Sequence, residues 1–457
     1  MSDVKRAVVS WGRIALGSAD LVLQPGGNLR TGIEDFETFF PNPTSLEKDV
    51  LVVASAIYAC DLAFKRGERE NITRSIEVTI PVTNIQAFER LNSQLQLLLW
   101  ILSHDVWSFN FKRQKGLPEP AEDWPKSDGK TLLFSGGLDS FAGAVDLLDD
   151  IGASRVQLSS HVTANPVTRK SQNDLANYLT GKYTGALNRV VVRTGGHSIT
   201  DLPFPDYNDR EETQRTRSFM FLSIAALAAR RSGQSEIVMI AENGQMAIHL
   251  PLSAARMGAF STHTAHPEFV HGIGEYFTEL LGFPVHVTNP YLYRTKGEVV
   301  KKLVSKYPDS IHLSVSCWKG SRVSTDTHHC GACIPCLTRR VSLEFNGLCL
   351  KEYERDLLSE DVLALPPDDT GKRNLVELVE FAYLFKTLSD TELEFIYPEL
   401  INKQIDKANA ISMYRRVANE VETVLRNYPN AAKLMSPASA DSTPPAPAKK
   451  TASRKKR

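Results

Sequence analysis

From Lys130 to about residue 350, short apolar runs alternate with stretches whose apolar residues recur at helical spacing. The apolar runs predict five strands: KTLLF, SRVQLSSHV, NRVVVRTG, SEIVMIAENG and FPVHVTNPYL. The stretches between and after them predict helices over 139–149, 167–182, 213–232, 267–282 and 295–306. Because such alternation is typical of βαβ units, we expect an α/β fold here, with a parallel sheet and helices on both of its faces.

The flanking regions have different patterns. Residues 1–125 predict an α+β domain, because LEKDVLVVASAIYACDLAFKR and NIQAFERLNSQLQLLLWILSHD have helical spacing while RSIEVTIPV alternates like a strand. The stretch QKGLPEPAEDWPKSDGK is rich in Pro, Gly and charge and predicts a linker. The core domain is therefore expected over 126–350.

After the core, the chain predicts helices and then a tail. NLVELVEFAYLFKTL and ISMYRRVANEVETVLRNY carry apolar residues at helical spacing, so residues 351–432 are expected to be helical. Residues 433–457 are rich in Pro, Ala and Ser and end in a basic run, which predicts a disordered tail. The basic end is interpreted as a solvated tail, with contact to an acidic partner as the alternative.

Composition narrows the function classes. The 457 residues are 42% hydrophobic and 23% charged, with a formal net charge of zero. A neutral chain argues against a strongly electrostatic nucleic-acid binder, although a local basic patch stays open. The sequence has no apolar run of roughly 18 residues and no signal-peptide pattern at its start. We therefore expect a cytoplasmic protein that does not span a membrane.

A glycine turn follows the first predicted strand of the sheet and opens its first helix. Its members are Ser135, Gly136, Gly137, Leu138, Asp139 and Ser140. Glycines let the backbone approach an anion, and the N–H groups of a helix N-terminus carry partial positive charge. The turn lacks the Gly-Lys-Ser/Thr of a Walker A loop and the spacing of a dinucleotide fingerprint. Its position between strand and helix favours a phosphate or pyrophosphate cradle over an ordinary turn.

Four of the six cysteines lie close together, in the spacing C-x12-C-x2-C-x2-C. They are Cys317, Cys330, Cys333 and Cys336. Four thiolates at such separations can close a tetrahedral zinc site, and a full set of sulfur ligands leaves no position for a catalytic water. His328 and His329 are alternative ligands, interpreted as exposed loop residues. Gly331 frees the turn beside one ligand, while Cys60 and Cys349 are expected to be buried apolar residues.

The glycine turn resembles the PP-loop of N-type ATP pyrophosphatases. Those enzymes cleave ATP to AMP and pyrophosphate and activate a substrate oxygen as its adenylate. The resemblance implies ATP and Mg²⁺ as cofactors, with the loop holding the leaving pyrophosphate and Asp139 helping to bind the magnesium–ATP complex. Preorganised N–H dipoles would stabilise the charge that develops on the pyrophosphate.

A PP-loop followed by a late cysteine cluster is similar to the 7-cyano-7-deazaguanine synthase (QueC) family. That family joins adenylated 7-carboxy-7-deazaguanine to ammonia and dehydrates the amide to a nitrile. RSFMFLSIAALAA resembles its Arg-Asn-x-x-Phe-Leu-Ser-x-Ala helix, which implies a role for Arg217 and places Ser218 at the family's Asn. TNPYLYRTKGEVV places Lys296 at a basic position of the family. IAENG makes Glu242 and Asn243 candidate substrate contacts.

The resemblance thus implies a set of site residues. The expected catalytic residues are Asp139, Ser140, Arg217 and Lys296. The expected cofactor-binding residues are Ser135, Gly136, Gly137, Leu138, Asp139, Ser140, His161, Arg217, Glu242 and Asn243. Each outlying residue has a structural alternative: Arg217 could solvate a helix start, Lys296 could be a surface lysine, and His161 could be a core histidine.

The sequence also departs from that family, which it resembles over about 130 to 345. SSHVTANPVTRK lacks the family's Tyr-Gly-Gln-x-His stretch, and HLPLSAARMGAFSTHTAHPEF replaces its Asp-Cys-Arg type of substrate segment. The activation half is therefore expected to be retained and the acceptor half altered.

The long form resembles the QatC-type, QueC-like components of the bacterial Qat anti-phage defence system. That resemblance implies other protein components as partners and a deazaguanine-type small molecule as substrate, with a protein or nucleic acid as possible acceptor. One alternative is a housekeeping synthase for queuosine-type biosynthesis, against which the altered acceptor half argues. Another is a non-catalytic ATP-binding scaffold, against which the intact Ser-Gly-Gly-x-Asp-Ser turn argues.

Overall fold

The structure of the protein, a computed structural model, describes residues 4–12, 19–67, 73–116, 126–162, 165–238, 242–253, 263–319 and 327–435. Its strands are β1 (Val4–Val9), β2 (Leu21–Leu23), β3 (Leu29–Arg30), β4 (Ser75–Val82), β5 (Val106–Arg113), β6 (Ser127–Leu133), β7 (Val156–Val162), β8 (Asn188–Arg193), β9 (Gly195–Gly196), β10 (Gln234–Val238) and β11 (His286–Thr288). Its α-helices are α1 (Ile33–Phe39), α2 (Ser45–Ala63), α3 (Ile85–Arg90), α4 (Asn92–Ser103), α5 (Leu138–Ile151), α6 (Pro166–Lys182), α7 (Arg217–Arg231), α8 (Gly244–Ile248), α9 (Pro267–Leu281), α10 (Lys296–Lys306), α11 (Ile334–Phe345), α12 (Thr370–Thr387), α13 (Asp390–Ile396), α14 (Lys407–Leu425) and α15 (Pro429–Ala432).

The central sheet has five parallel strands in the order β11-β10-β6-β7-β8. The chain runs outward from β6 through β7 to β8, and then returns to build β10 and β11 on the other side of β6. The strand order therefore reverses between β6 and β10, and ligands of open α/β sheets bind at such a switch point, outside the carboxyl ends of the strands. The predicted α/β fold with a parallel sheet is confirmed.

The five predicted strands and five predicted helices of this region all exist, with shifted ends. The first strand begins at Ser127, inside the predicted linker, and residues 117–125 of that linker lie outside the described residues. Helix α7 begins at Arg217 instead of residue 213, and β11 is only three residues long. Helix α11 was not predicted, because its first turn contains Cys336 and follows Cys333, and these cysteines were interpreted only as metal ligands.

The N-terminal part holds a second parallel sheet, in the order β2-β1-β4-β5. Only β4 was predicted, from the alternating sequence RSIEVTIPV, and its residues do alternate between buried and half-buried. Strand β5 alternates in the same way, with Trp107, Phe109 and Phe111 buried. It was not predicted, because its alternating sequence directly follows a long helical pattern. Strand β2 is too short for periodicity to reveal.

Helix α7 joins the two sheets. It contacts β6, β7 and β10 on one side and α2 on the other. Its apolar residues from Phe219 to Ala229 are buried, apart from the partly buried Phe221, as expected of a helix that is hydrophobic nearly all round. One apolar cluster consequently runs from the N-terminal strands through α2 and α7 to α9. The division into domains at residue 125 stays a prediction.

The C-terminal region is helical, as expected. Helices α12 and α14 pack together through rings of Phe381, Phe385 and Tyr414, and α14 also contacts α8, α10 and α11. The predicted tail starts too early, because Lys433–Met435 form a short 3-10 helix, and residues 436–457 lie outside the described residues. Within the described ranges, no helix has the length and apolarity needed to cross a membrane.

Buried charges tie α7 to the N-terminal part. Asp61 of α2 accepts hydrogen bonds from the backbone N–H and the hydroxyl of Thr216, at 2.8 and 3.0 Å, just before α7 begins. The other oxygen of Asp61 pairs with Arg74 at 2.5 Å, and Arg74 also pairs with Asp105 at 2.6 Å. All of these groups are buried. Because a carboxylate is favoured at the positive end of a helix, Asp61 fixes the start of α7.

We expect Asp61→Ala to lower the free energy of unfolding by about 3–5 kcal/mol, because it leaves the buried Arg74 guanidinium with one carboxylate fewer. Chemical denaturation monitored by circular dichroism measures this loss. Asp209→Ala is the control, since Asp209 is largely exposed and its ion pair with Lys65 spans 3.7 Å. That pair should contribute less than about 1 kcal/mol. Equal losses in the two variants would contradict the structural role of Asp61.

Candidate active site

The candidate site lies at the switch point and centres on Asp139, in the first turn of α5. Asp139 is only 5% exposed. Its Oδ1 accepts a hydrogen bond from Lys296 Nζ at 2.7 Å, and its Oδ2 accepts one from Asn243 Nδ2 at 2.8 Å. Asn243 follows β10 and caps α8, while Lys296 is the first residue of α10. Three residues that are far apart in sequence therefore meet around one carboxylate.

The glycine turn has the geometry that its sequence predicts. Gly136 has a φ of +84°, and a Cβ at this position would lie 3.0 Å from Gln172 Cγ and 3.1 Å from the Gln172 backbone nitrogen. Ser140 Oγ donates to the Gly137 carbonyl at 3.0 Å and lies 3.2 Å from Ser135 Oγ. The turn is therefore closed by its own hydroxyls and has room only for glycine at Gly136.

The N-terminus of α5 suits an anion. Gly137 is the residue that precedes the helix, and no side chain caps it. The first-turn N–H groups, which belong to Leu138, Asp139 and Ser140, precede the first i→i−4 bond, from Phe141 N–H to the Gly137 carbonyl. Uncapped N–H groups at the positive end of a helix form a phosphate-binding arrangement.

Helix α6 supports the turn from behind, and sequence reasoning missed this contribution. Ser171 Oγ donates to the Gly136 carbonyl at 2.7 Å, and Gln172 Nε2 donates to the Ser135 carbonyl at 3.3 Å. On the other side, Val315 N–H donates to the same Gly136 carbonyl at 3.1 Å. In the sequence, this support could have been suspected from the adjacent polar residues Ser171 and Gln172, which lie on the side of α6 that packs inward.

Glu242 is half-buried at the carboxyl end of β10. Burial and, to a smaller extent, the negative charge of Asp139 raise the pKa of Glu242 to about 8, against the opposing effects of Lys296 and Arg217. Arg217, the exposed first residue of α7, acts on Glu242 only through its charge. Within the described part of the chain, the Arg217 guanidinium makes no hydrogen bond or ion pair. Arg217 is thus accessible to an anionic ligand beside the site.

His161 is placed differently from the expectation that it lines the nucleotide pocket. The structure buries it completely, with its ring edge-on to Tyr58 and Phe221. Its Nε2 is hydrogen-bonded to Thr194 Oγ1 at 2.8 Å, and burial lowers its pKa to about 3. The positive charge of Arg217 also lowers the pKa of His161, by less than burial does. His161 is therefore a neutral core residue behind the site.

The four clustered cysteines form a candidate metal centre. Their Sγ atoms, from Cys317, Cys330, Cys333 and Cys336, all lie within 4.8 Å of one another. The Cys317–Cys333 and Cys330–Cys336 separations are 3.9 and 4.0 Å. Four sulfurs at about 2.3 Å from a tetrahedral zinc ion are about 3.8 Å apart, whereas a disulfide is about 2.05 Å long. The donor set and its spacing fit zinc.

The residues around this centre correct two expectations. His329 is buried, not exposed: its Nε2 accepts from Ser316 N–H and its Nδ1 lies 3.2 Å from the Thr327 carbonyl. Both ring nitrogens of His329 therefore have hydrogen-bond partners within the protein. His328 is half-buried. Cys349 is exposed, whereas Cys60 is buried as expected. The prediction for Gly331 is confirmed, because its φ is +73° and a Cβ would lie 1.9 Å from the Arg355 carbonyl oxygen.

The metal centre is connected to the glycine turn. Val315, which holds the Gly136 carbonyl, precedes Cys317 by two residues, and His329 binds the intervening Ser316. The buried Arg339 fixes the same segment by donating to Ser314 Oγ at 2.8 Å and to the Ile311 carbonyl at 2.9 Å. Loss of the metal should therefore loosen the support of the turn.

We expect loss of a metal from the cysteine cluster, by chelation or by Cys333→Ser, to lower the thermal unfolding midpoint and to weaken the affinity for ATP roughly tenfold. Calorimetry with and without added zinc measures both effects. Cys349→Ser is the matched control, because Cys349 is an exposed cysteine outside the cluster. Unchanged ATP affinity in metal-free protein that remains folded would contradict the connection.

We also expect Glu242→Gln to change how stability depends on pH. The folded pKa of about 8 exceeds the ordinary value of 4.5, so folded protein binds an extra proton between these values. The stability that protonated Glu242 contributes is present at low pH and is lost as the pH rises through about 8. The variant should therefore gain unfolding free energy relative to wild type, on the order of 4 kcal/mol, between about pH 5 and pH 9. Denaturant titrations at several pH values measure this difference, and a constant difference would contradict it.

Comparisons with known proteins agree with this geometry. The sequence model of the family described as "Queuosine biosynthesis protein QueC" matches residues 130–347. A 7-cyano-7-deazaguanine synthase from Saccharolobus solfataricus is 24% identical over 229 residues, which are 48% of this chain and 45% of that protein. A protein of the same name from Brucella anthropi is 25% identical over 232 residues, which are 48% of this chain and 90% of that protein.

The match spans less than half the length of the Saccharolobus protein and about half of this chain. Among solved structures, a glutamine-dependent NAD⁺ synthetase from Acinetobacter baumannii, in complex with adenosine diphosphate, is similar at 18% identity and a TM-score of 0.21. That similarity covers 65% of this chain and 41% of the synthetase. The matched range includes the glycine turn, the Asp139 site and the four cysteines, so over residues 130–347 this chain is similar to the QueC family.

Proposed function

We propose that this protein cleaves ATP to AMP and pyrophosphate in order to activate a carboxylate of the 7-carboxy-7-deazaguanine type and to transfer it to an amine. The observation that carries the proposal is the Asp139 site, where an uncapped helix N-terminus, a paired carboxylate and a lysine meet at the switch point of a parallel sheet. The synthase name of both relatives supports this substrate class.

The phosphates bind where the first turn of α5 offers its N–H groups. The hydroxyls of Ser135 and Ser140 close the same turn from within and fix the direction of these N–H groups. Lys296 already balances one carboxylate oxygen of Asp139, and Arg217 supplies a further accessible cation beside the site. These fixed donors and charges stabilise the negative charge that moves onto the pyrophosphate.

The carboxylates fit a magnesium–ATP complex. Asp139 and Glu242 are neighbouring oxygen donors, and Mg²⁺ prefers one or two carboxylates together with phosphate oxygens. When bound, the ion would neutralise part of the phosphate charge. Glu242 is the site carboxyl whose pKa of about 8 lets it exchange a proton near neutral pH.

The proposed reaction has two steps. A carboxylate oxygen of the substrate attacks the α-phosphorus of ATP, the bond to the β-phosphate oxygen breaks, and pyrophosphate leaves. An amine nitrogen then attacks the carbonyl carbon of the adenylate, AMP leaves, and the amine loses a proton to water. No side chain forms a covalent intermediate, so the rate depends on alignment and on electrostatic stabilisation.

We further propose that the acceptor is a component other than ammonia alone and that the protein acts with partner proteins in anti-phage defence. The support is the resemblance of the long form and the altered acceptor segment, of which residues 254–262 lie outside the described residues. A second candidate is housekeeping 7-cyano-7-deazaguanine synthesis. It is favoured by the Brucella relative, which aligns over 90% of its own length.

The test is release of AMP and pyrophosphate from Mg-ATP in the presence of 7-carboxy-7-deazaguanine. The reaction is run with ammonia and, separately, with the products of neighbouring genes, and products are followed by chromatography and intact-protein mass. We expect Asp139→Asn to lower the rate at least about a hundredfold, because the variant loses the charge that Lys296 pairs with. Asp128→Asn is the control, since Asp128 is an exposed residue that pairs with Arg155.

The outcomes separate the candidates. AMP release only with a partner, together with a mass gain on that partner, supports the conjugating enzyme. AMP release with free nitrile under ammonia alone supports the housekeeping synthase. Wild-type protein that binds Mg-ATP but releases no AMP under any of these conditions would refute the proposed reaction and leave an ATP-binding scaffold.

A further inference from the structure

A buried carboxyl from the C-terminal helices reaches the edge of the candidate site. Glu420 of α14 lies outside the QueC-like residues 130–347 and is only 4% exposed. Its Oε1 accepts a hydrogen bond from the hydroxyl of Thr295. At Gly297 an added Cβ would lie 2.5 Å from the same oxygen, so Glu420 packs directly against the backbone where α10 starts.

Thr295 is the residue that caps α10. Its Oγ1 accepts from Glu298 N–H at 3.0 Å, while the Glu298 carboxylate accepts from Thr295 N–H at 2.9 Å. The next residue is Lys296, whose ammonium donates to Asp139. A displacement of the Thr295 cap would therefore move the lysine that pairs with the central carboxylate of the site.

Other contacts show that α14 fits closely against this helix start. Arg416 of α14 pairs with Glu298 at 2.7 Å and donates to the Tyr293 carbonyl at 2.8 Å. Asn346, just after α11, donates to the Gly297 carbonyl at 2.9 Å. Of these contacts only Glu420 is a buried group that touches the cap itself, so it is the residue best placed to control the position of Lys296.

We propose that Glu420 is a positioning residue of the nucleotide site, which holds Lys296 against Asp139 by fixing the start of α10. The C-terminal helices would then be part of the site and not only an appended region. The kinetic part of this inference rests on the proposed ATP-dependent function, whereas its structural part does not.

The chemistry of Glu420 indicates which substitution should preserve its role. Burial raises its pKa to about 7, so near neutral pH both the neutral and the ionised carboxyl occur, and either form keeps an oxygen that can accept from Thr295. An amide also offers such an oxygen at nearly the same size. Glutamine should therefore replace Glu420 with little loss, whereas alanine should not.

The experiment compares Glu420→Ala and Glu420→Gln with Glu422→Ala in the full-length protein. Glu422 is on the same helix but pairs with Lys386 and Arg426, away from α10. We expect Glu420→Ala to raise the KM for ATP about tenfold with a smaller change in kcat, because the phosphate-side lysine is displaced. The glutamine variant and the Glu422→Ala control should stay within about twofold of wild type.

A double-mutant cycle tests whether the effect passes through Lys296. If it does, Glu420→Ala should add little to the loss caused by Lys296→Met, because both variants remove the same interaction. Gly297→Ala is a second route to the same displacement, since its added methyl group occupies the space of the Glu420 carboxyl. Additive losses in the cycle would overturn the proposal.

Hydrogen–deuterium exchange separates this inference from the proposed function. Exchange of the amides at 296–299 should become at least about tenfold faster in Glu420→Ala and stay unchanged in Glu422→Ala, whatever reaction the site performs. If wild-type protein releases no AMP, the proposed function fails. The exchange measurement still tests whether Glu420 fixes the start of α10. Unchanged exchange in a folded Glu420→Ala protein would overturn the proposal.

Discussion

The candidate site depends on one buried charge, the carboxylate of Asp139. A carboxylate in a protein interior is costly unless it is paired and hydrogen-bonded. Lys296 and Asn243 meet this need, but both belong to parts of the chain that follow the reversal of strand order at β10. The site can form only when the sheet is complete on both sides of β6. The glycine turn is thus necessary for the site and insufficient to create it.

The regions outside residues 130–347 use similar chemistry to hold the helices that frame this site. Asp61 from the N-terminal part accepts from Thr216 just before α7, and Glu420 from the C-terminal part accepts from Thr295 just before α10. In both cases a buried carboxyl meets the positive end of a helix whose first residue is basic, Arg217 or Lys296. The added regions are therefore structurally inseparable from the ends of the helices that carry the candidate cations.

The sequence predicted what local patterns can encode. The parallel sheet, the glycine turn and the cysteine cluster each have a short-range signal, and the structure contains all three. Contributions that arise only from tertiary packing were missed, including the support of Gly136 by Ser171 and the approach of Glu420 to α10. The expectation that His161 lines the pocket failed, because a position at the end of a strand shows only which edge of the sheet a residue lies at. It does not show whether the ring faces a cavity or the core, and the ring of His161 faces the core.

The charges of the site also suit the ligand that its backbone geometry favours. Below about pH 8 Glu242 is largely protonated, so the negative charge of Asp139 is balanced by Lys296 and the exposed Arg217 leaves a net positive charge. Such a site would attract a phosphate chain, and a cation that accompanies the phosphates would favour ionised Glu242. Binding of that cation would then be coupled to proton release from Glu242.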